Sequence, residues 1–183
     1  MRVNPMAERI FISLLVATNL IAGFGGAILL AKQLGEISGR PRNIRYFVLL
    51  VFVYFLECVA FSAGMATQVF SVGLAFVWGI VFGLWLRGRA APRKVLKTSF
   101  LFSLYTTLPT VTFSILLLIG FAVGGSIVSV EEARNFGIPD FVPWPLNTVL
   151  GFCAALLMGT VVLKTIITTG EVGLLIHLGK TRR

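Results

Sequence analysis

Residues 46–86 read YFVLLVFVYFLECVAFSAGMATQVFSVGLAFVWGIVFGLWL, and Glu57 is the single charged side chain among them. A helix of that length rises about 1.5 Å per residue and would be roughly twice as long as a ~30 Å hydrocarbon core is thick. The stretch therefore reads as two membrane spans, 46–64 and 68–86. A tight turn near Gly64-Met65-Ala66-Thr67-Gln68, the most polar segment between them, joins the two.

Working outward, the same pattern repeats. Ile10 to Ala31 is apolar and long enough to cross, exceeds a signal-peptide core, and shows no small-x-small cleavage site before Lys32. It is expected to be a retained span, 10–31. Lys32 to Arg45 reads as a basic loop, with Gly39-Arg40-Pro41-Arg42 breaking any helix. Arg87 to Lys97 is a second basic loop around Pro92. Thr98 to Val130 is uncharged but too short for two spans, so one tilted helix over 98–128 is expected, bent at Pro109. Glu131 to Pro145 is acidic and proline-rich, ends at Trp144, and reads as a solvated outer connection. The last span is expected over 146–165, with a separate surface-lying segment at 172–178 before the basic tail.

The charges then orient the bundle. Lys32, Arg40, Arg42 and Arg45, the five basic residues of the second basic loop, and Lys180, Arg182 and Arg183 fall on one side of a five-span chain; only Arg2, Arg9 and Arg134 fall on the other. Such an excess marks the cytoplasmic face. The expected fold over residues 1–183 is an all-α integral membrane protein, a single five-transmembrane-helix bundle with its N-terminus outside and its C-terminus cytoplasmic. A multi-pass protein of a plasma or inner membrane follows.

Composition supports this class. With 57% hydrophobic and 13% charged residues, the chain exposes too little charge for an ordinary soluble domain. The net charge of +9 sits in loops beside the spans, where it meets anionic headgroups at the cytoplasmic face rather than nucleic acid. Cys58 and Cys153 both lie in apolar runs and read as small hydrophobes. No catalytic, metal-binding or nucleotide-binding constellation stands out, and no cofactor is expected. His177, the single histidine, cannot supply two haem ligands. A quinone site would use aromatics such as Phe52, Tyr54, Phe55 and Phe61 around Glu57, though aromatic spacing on a span says little by itself.

Glu57 is the residue that asks for an explanation, because a charge at mid-membrane costs at least a few kcal/mol unless paired, protonated or solvated. Counting from Arg45 puts it roughly 18 Å from the cytoplasmic boundary. Thr110 and Asn19 reach similar depths, so a polar layer of Asn19, Glu57 and Thr110 is expected, with Pro109 freeing a carbonyl nearby. No opposite charge is expected at that level. Glu57 is then either a relay or coupling residue, or a protonated acid bonding across helices, which Gln would replace almost silently. Lys164 is expected near the inner interface, its ammonium reaching the headgroups.

Small residues recur at helix-packing spacing: Gly79 with Gly83, Gly120 with Gly124, Gly151 through Ala155 to Gly159, and Ala22 with Gly26. In lipid such faces let backbones approach closely. The Gly23-Phe24-Gly25-Gly26 cluster has no preceding strand and belongs to helix packing, not phosphate binding. Two functions remain in view. One is a non-enzymatic integral membrane subunit of a larger complex, docking on other membrane subunits. The other is a small transporter or channel for an ion, proton or solute, a homo-oligomer using Glu57 as its coupling residue.

Overall fold

The computed structural model describes residues 5–39, 44–60, 68–88, 91–124 and 146–180, and those residues form five α-helices and no strands. They are α1 (Pro5–Ser38), α2 (Ile44–Ala60), α3 (Gln68–Leu86), α4 (Pro92–Gly124) and α5 (Leu146–Lys180). Gly64 to Thr67 of the expected turn and the acidic connection from Glu131 to Pro145 lie outside the described residues, Gln68 being the first residue of α3; the surroundings of Gly120 and Gly124 are likewise not described.

The helix ends follow local chemistry. Gly39 follows α1 with φ of 67° and Gly88 closes α3 with φ of 72°, a left-handed conformation that glycine adopts without steric penalty. At the start of α4 the Ala91 carbonyl accepts from the amides of Lys94 and Val95 at 3.0 and 3.2 Å. Pro92 takes the first helical position, where a missing amide costs nothing.

Three helices outrun the expected spans. α1 continues through Lys32 to Ser38, so the first basic loop is shorter than the charge pattern suggests. α4 begins at Pro92, taking Arg93, Lys94 and Lys97 onto its first turns. The larger difference is α5. It runs unbroken to Lys180, through Thr168-Thr169-Gly170, in place of a span ending at 165 and a separate segment over 172–178. Threonines and a single glycine weaken a helix by less than packing restores, and α5 is packed along its whole inner face.

Residue pairings give the helix directions. Asn19 meets Cys58 while Phe24, further along α1, stacks on Phe47, earlier in α2, so these helices are antiparallel. Trp78 meets Glu57 and Trp85 meets Tyr46, which makes α2 and α3 antiparallel too. α4 and α5 are antiparallel through Ser103 with Thr165, and Leu96 with Gly173. α3 and α5 run parallel: Ser71 with Lys164 and Ala75 with Thr168 are each 93 residues apart. Thus α1, α3 and α5 point one way, α2 and α4 the other.

Glycines set how closely these helices meet. A Cβ at Gly79 would collide with the Glu171 side chain, and one at Gly83 would lie 3.3 Å from the Val172 backbone. Gly23 and Gly26 hold the rings of Tyr54 and Tyr105 in the same way. At Gly23, Gly26, Gly79 and Gly83 a neighbouring helix thus comes too close for a Cβ to fit without something shifting.

The apolar core gathers where α2 and α4 begin and α1 and α3 end. Leu34, Leu50, Leu86, Val95 and Phe102 are buried there, and the rings of Phe82 and Phe102 stack at 4.2 Å. Outside, the surface is strongly apolar: Ile21 is 73% exposed, Leu29 68% and Ile166 62%. Two helices, over Ser13–Ser38 and Leu150–Leu178, are long and apolar enough to cross a membrane, and most of each window lies on the outside of the bundle.

Candidate functional site

The buried polar side chains are concentrated on α4 and α5. Thr98, Ser99, Ser103, Thr106, Thr107 and Thr110 are all buried on α4, and Thr160, Lys164 and Thr168 on α5. Most of these hydroxyls bond to carbonyls of their own helix: Ser99 to Val95, Thr106 to Ser103, Thr107 to Leu104 and Thr160 to Leu156, at 2.7–3.0 Å. A hydroxyl satisfied this way can be buried without a partner on another helix. Two reach across: Ser103 donates to Thr165 Oγ1 at 3.3 Å, and Thr168 donates to the Ala75 carbonyl at 3.3 Å.

At the middle of this polar seam lies an ion pair. Lys164 Nζ sits 3.0 Å from Glu57 Oε1, with the lysine side chain fully buried and the glutamate 4% exposed. The same ammonium donates to the Thr106 carbonyl at 3.0 Å and approaches Ser71 Oγ at 3.5 Å. An ammonium has three N–H donors, and here each has an oxygen to meet. From α3, Trp78 Nε1 donates to Glu57 Oε1 at 2.6 Å. Four helices thus converge on one carboxylate and one ammonium.

Each partner is delivered by a local feature of its helix. Pro109 lies inside α4 and has no amide to give the Tyr105 carbonyl four residues back. The neighbouring Thr106 carbonyl has two lone pairs and accepts from Lys164. Ser71 brings a hydroxyl from α3 to the same ammonium. Trp78 brings a donor-only N–H on an otherwise apolar ring, which suits an apolar helix that must also meet a carboxylate.

Chemically, the pair has zero net charge whether the proton stands on Lys164 or on Glu57, so the site needs no counter-ion from outside. An ion pair taken out of water stands only when further hydrogen bonds complete it. Thr106, Ser71 and Trp78 provide those bonds. Removing one partner would leave an uncompensated charge at the centre of the bundle.

The structure corrects two expectations here. Lys164 does not reach an interface: it lies midway along the apolar window 150–178 of an α5 that continues for four more turns. It is the opposite charge that Glu57 was expected to lack. Asn19 and Glu57, expected at one depth with Thr110, bond to different partners. Asn19 belongs to a neighbouring cluster, where its side-chain oxygen accepts from the Tyr54 hydroxyl and its backbone oxygen accepts from the same group at 3.0 Å. Its amide nitrogen faces Cys58 Sγ at 4.0 Å. Thr110 is buried on α4, one turn beyond Thr106.

Cys58 and Cys153 form no disulfide, and His177 lies exposed near the end of α5. Among the described residues no three His, Cys, Asp or Glu side chains come together as metal ligands would. Gly151 and Gly159, expected on a packing face, point away from the bundle, and a Cβ at either would meet nothing within 4 Å. No protein family, characterised protein or solved structure matches this chain.

Proposed function

We propose that this protein is a five-span integral membrane protein, N-terminus outside and C-terminus cytoplasmic, acting as a non-enzymatic subunit of a larger membrane complex. The observation that carries the subunit role is the outer face of α5. Gly151, Ala155 and Gly159 form a small-residue stripe that this chain leaves uncovered, while equivalent glycines on α3 are filled by α5. Small residues in lipid let another backbone approach, and the unfilled stripe fits a helix of another subunit. The alternating helix directions, and the twelve basic residues that the sequence assigns to one side of a five-span chain, support the five-span orientation. Anionic headgroups at the cytoplasmic face are the partners of those basic residues.

Native mass spectrometry of the protein extracted from its host in a mild detergent tests this. A stoichiometric complex with other polypeptides, lost in Gly159→Leu, is the expected result. A lone monomer in the unaltered chain would overturn the subunit role. A cysteine introduced at Arg89 and labelled from outside intact cells would overturn the orientation.

The Glu57–Lys164 pair favours a second reading, a small oligomeric transporter or channel with Glu57 as coupling residue. An intramembrane acid is often the residue that moves a proton or ion. Flux in proteoliposomes that survives Glu57→Gln would remove Glu57 from any such mechanism.

A further inference from the structure

Two cavities open on the apolar surface, and they differ in chemistry. One, of about 280 Å³ between α2 and α3, is lined by apolar and aromatic side chains alone; of the two indoles in that lining, Trp78 and Trp85, the Trp78 nitrogen already donates to Glu57. The other, of about 450 Å³, lies between α1, α2 and α4, and falls in the size range of small-molecule sites. Its walls carry Asn19, Gly23, Phe24, Tyr54, Tyr105 and Pro109.

This second cavity is built rather than left over. Gly23 is buried against the Tyr54 ring, where any side chain would overlap it. Tyr105 is held by its hydroxyl, which donates to the Leu50 carbonyl at 3.0 Å, and packs its ring 5.4 Å from that of Tyr54. Tyr54 in turn fixes Asn19, donating to its side-chain oxygen and backbone carbonyl. That orientation turns the Asn19 NH₂ group away from Tyr54. Among the described residues its acceptor is Cys58 Sγ at 4.0 Å, the far limit of a weak sulfur hydrogen bond. An amide NH₂ has two donors, and in hydrocarbon an unused donor costs free energy that a bound acceptor would recover.

The mouth faces outward through apolar side chains: Val16 and Leu20 are each 49% exposed and Phe55 60%. A ligand therefore arrives from lipid. It needs an apolar body, a flat part to lie among the rings of Tyr54, Tyr105 and Phe24, and a hydrogen-bond acceptor at the depth of Asn19. We propose that the cavity binds a membrane-dissolved molecule with a flat, carbonyl-bearing head and an apolar tail, the chemistry of an alkyl- or prenyl-quinone, with Asn19 Nδ2 donating to a head carbonyl. This binding goes beyond the subunit role and does not depend on it. It also lies on the Asn19 side of Tyr54 rather than around Glu57.

The test uses the full chain in phosphatidylcholine vesicles and an azido derivative of decylubiquinone as photolabel. Label is expected on the peptides of α1 and α2 that contain Asn19 and Tyr54. Unlabelled decylubiquinone at ten times its Kd should cut that label about tenfold by mass action. Decylbenzene, which has a flat ring and tail but no carbonyl, should compete far less. Asn19→Gln, which keeps the donor, should retain the preference for the quinone over decylbenzene, and Asn19→Leu should lose it. Label spread evenly over the outward-facing helices would overturn the proposal. Equal competition by the two compounds in the unaltered chain would do the same, since any acyl chain could then fill the cavity. Because no partner polypeptide is present, the result stands whether or not a complex is found.

Discussion

The two faces of α5 carry different side chains and do opposite things. Inward, Lys164, Thr168 and Val172 are fully buried, and the helix lies against glycines of α3. Outward, Gly151, Ala155 and Gly159 stand in a surface whose other members, Met158 and Ile166, are more than 60% exposed. In water the lysine would face out and the isoleucine in. Here the order is reversed, which is the order expected of a protein whose exterior meets lipid, where apolar surface has no reason to hide and a charge has every reason to. Glycine follows neither rule: its value depends on whether another backbone arrives.

The comparison is most severely tested by breaking the inner face at its centre. Lys164→Met should destabilise the protein by about 3–5 kcal/mol, because it leaves the Glu57 charge buried without its partner. Thermal unfolding in detergent would show it. Glu57→Leu combined with Lys164→Met should recover most of the loss; a double variant as unstable as the single one would mean the pair is not a unit. Glu57→Gln, near silent for a lone protonated acid, should instead be strongly destabilising because it orphans Lys164.

Next in size is the hydrogen bond from α3. Trp78→Phe keeps the ring and removes the N–H, and should lower stability by about 1.5–3 kcal/mol, the range for a bond to a charged acceptor. The glycine contrast should be smaller on its inner side and absent on its outer side. Gly83→Leu drives a side chain into the Val172 backbone and should destabilise by about 1–3 kcal/mol. Gly159→Leu should leave the unfolding temperature of the isolated protein unchanged while removing partner polypeptides from the extracted complex. Equal effects at both glycines would erase the distinction between the two faces.

That the described residues are all helical was legible in the chain because its long uncharged runs are separated by charged, proline- or glycine-bearing segments. Glu57 announced itself as the one charge between Tyr46 and Leu86. Lys164 was harder to place for a physical reason: a lysine beside a span usually marks its end, and only the apolar run beyond it, through Ile166, Leu174 and Leu178, says otherwise. Trp78 gave no periodic signal, since an interior tryptophan and a lipid-facing one look alike until the acceptor is known. The Gly79 and Gly83 spacing predicted a close helix contact but could not name α5 as the partner. Depth alone does not decide azimuth: Asn19 turns toward Tyr54 and Cys58, Glu57 toward Trp78 and Lys164.

One contact has a consequence for how the chain is made. Glu57 and Lys164 are separated by 107 residues, and at about 5–20 residues per second the acid emerges from the ribosome roughly 5–20 s before its counter-charge. During that wait α3 can offer the Trp78 indole, but no cation. The nascent protein thus carries the Glu57 acid without its counter-charge until α5 arrives. A chain stopped before α5 should be degraded faster than the full chain, and one that also carries Glu57→Leu should lose that difference.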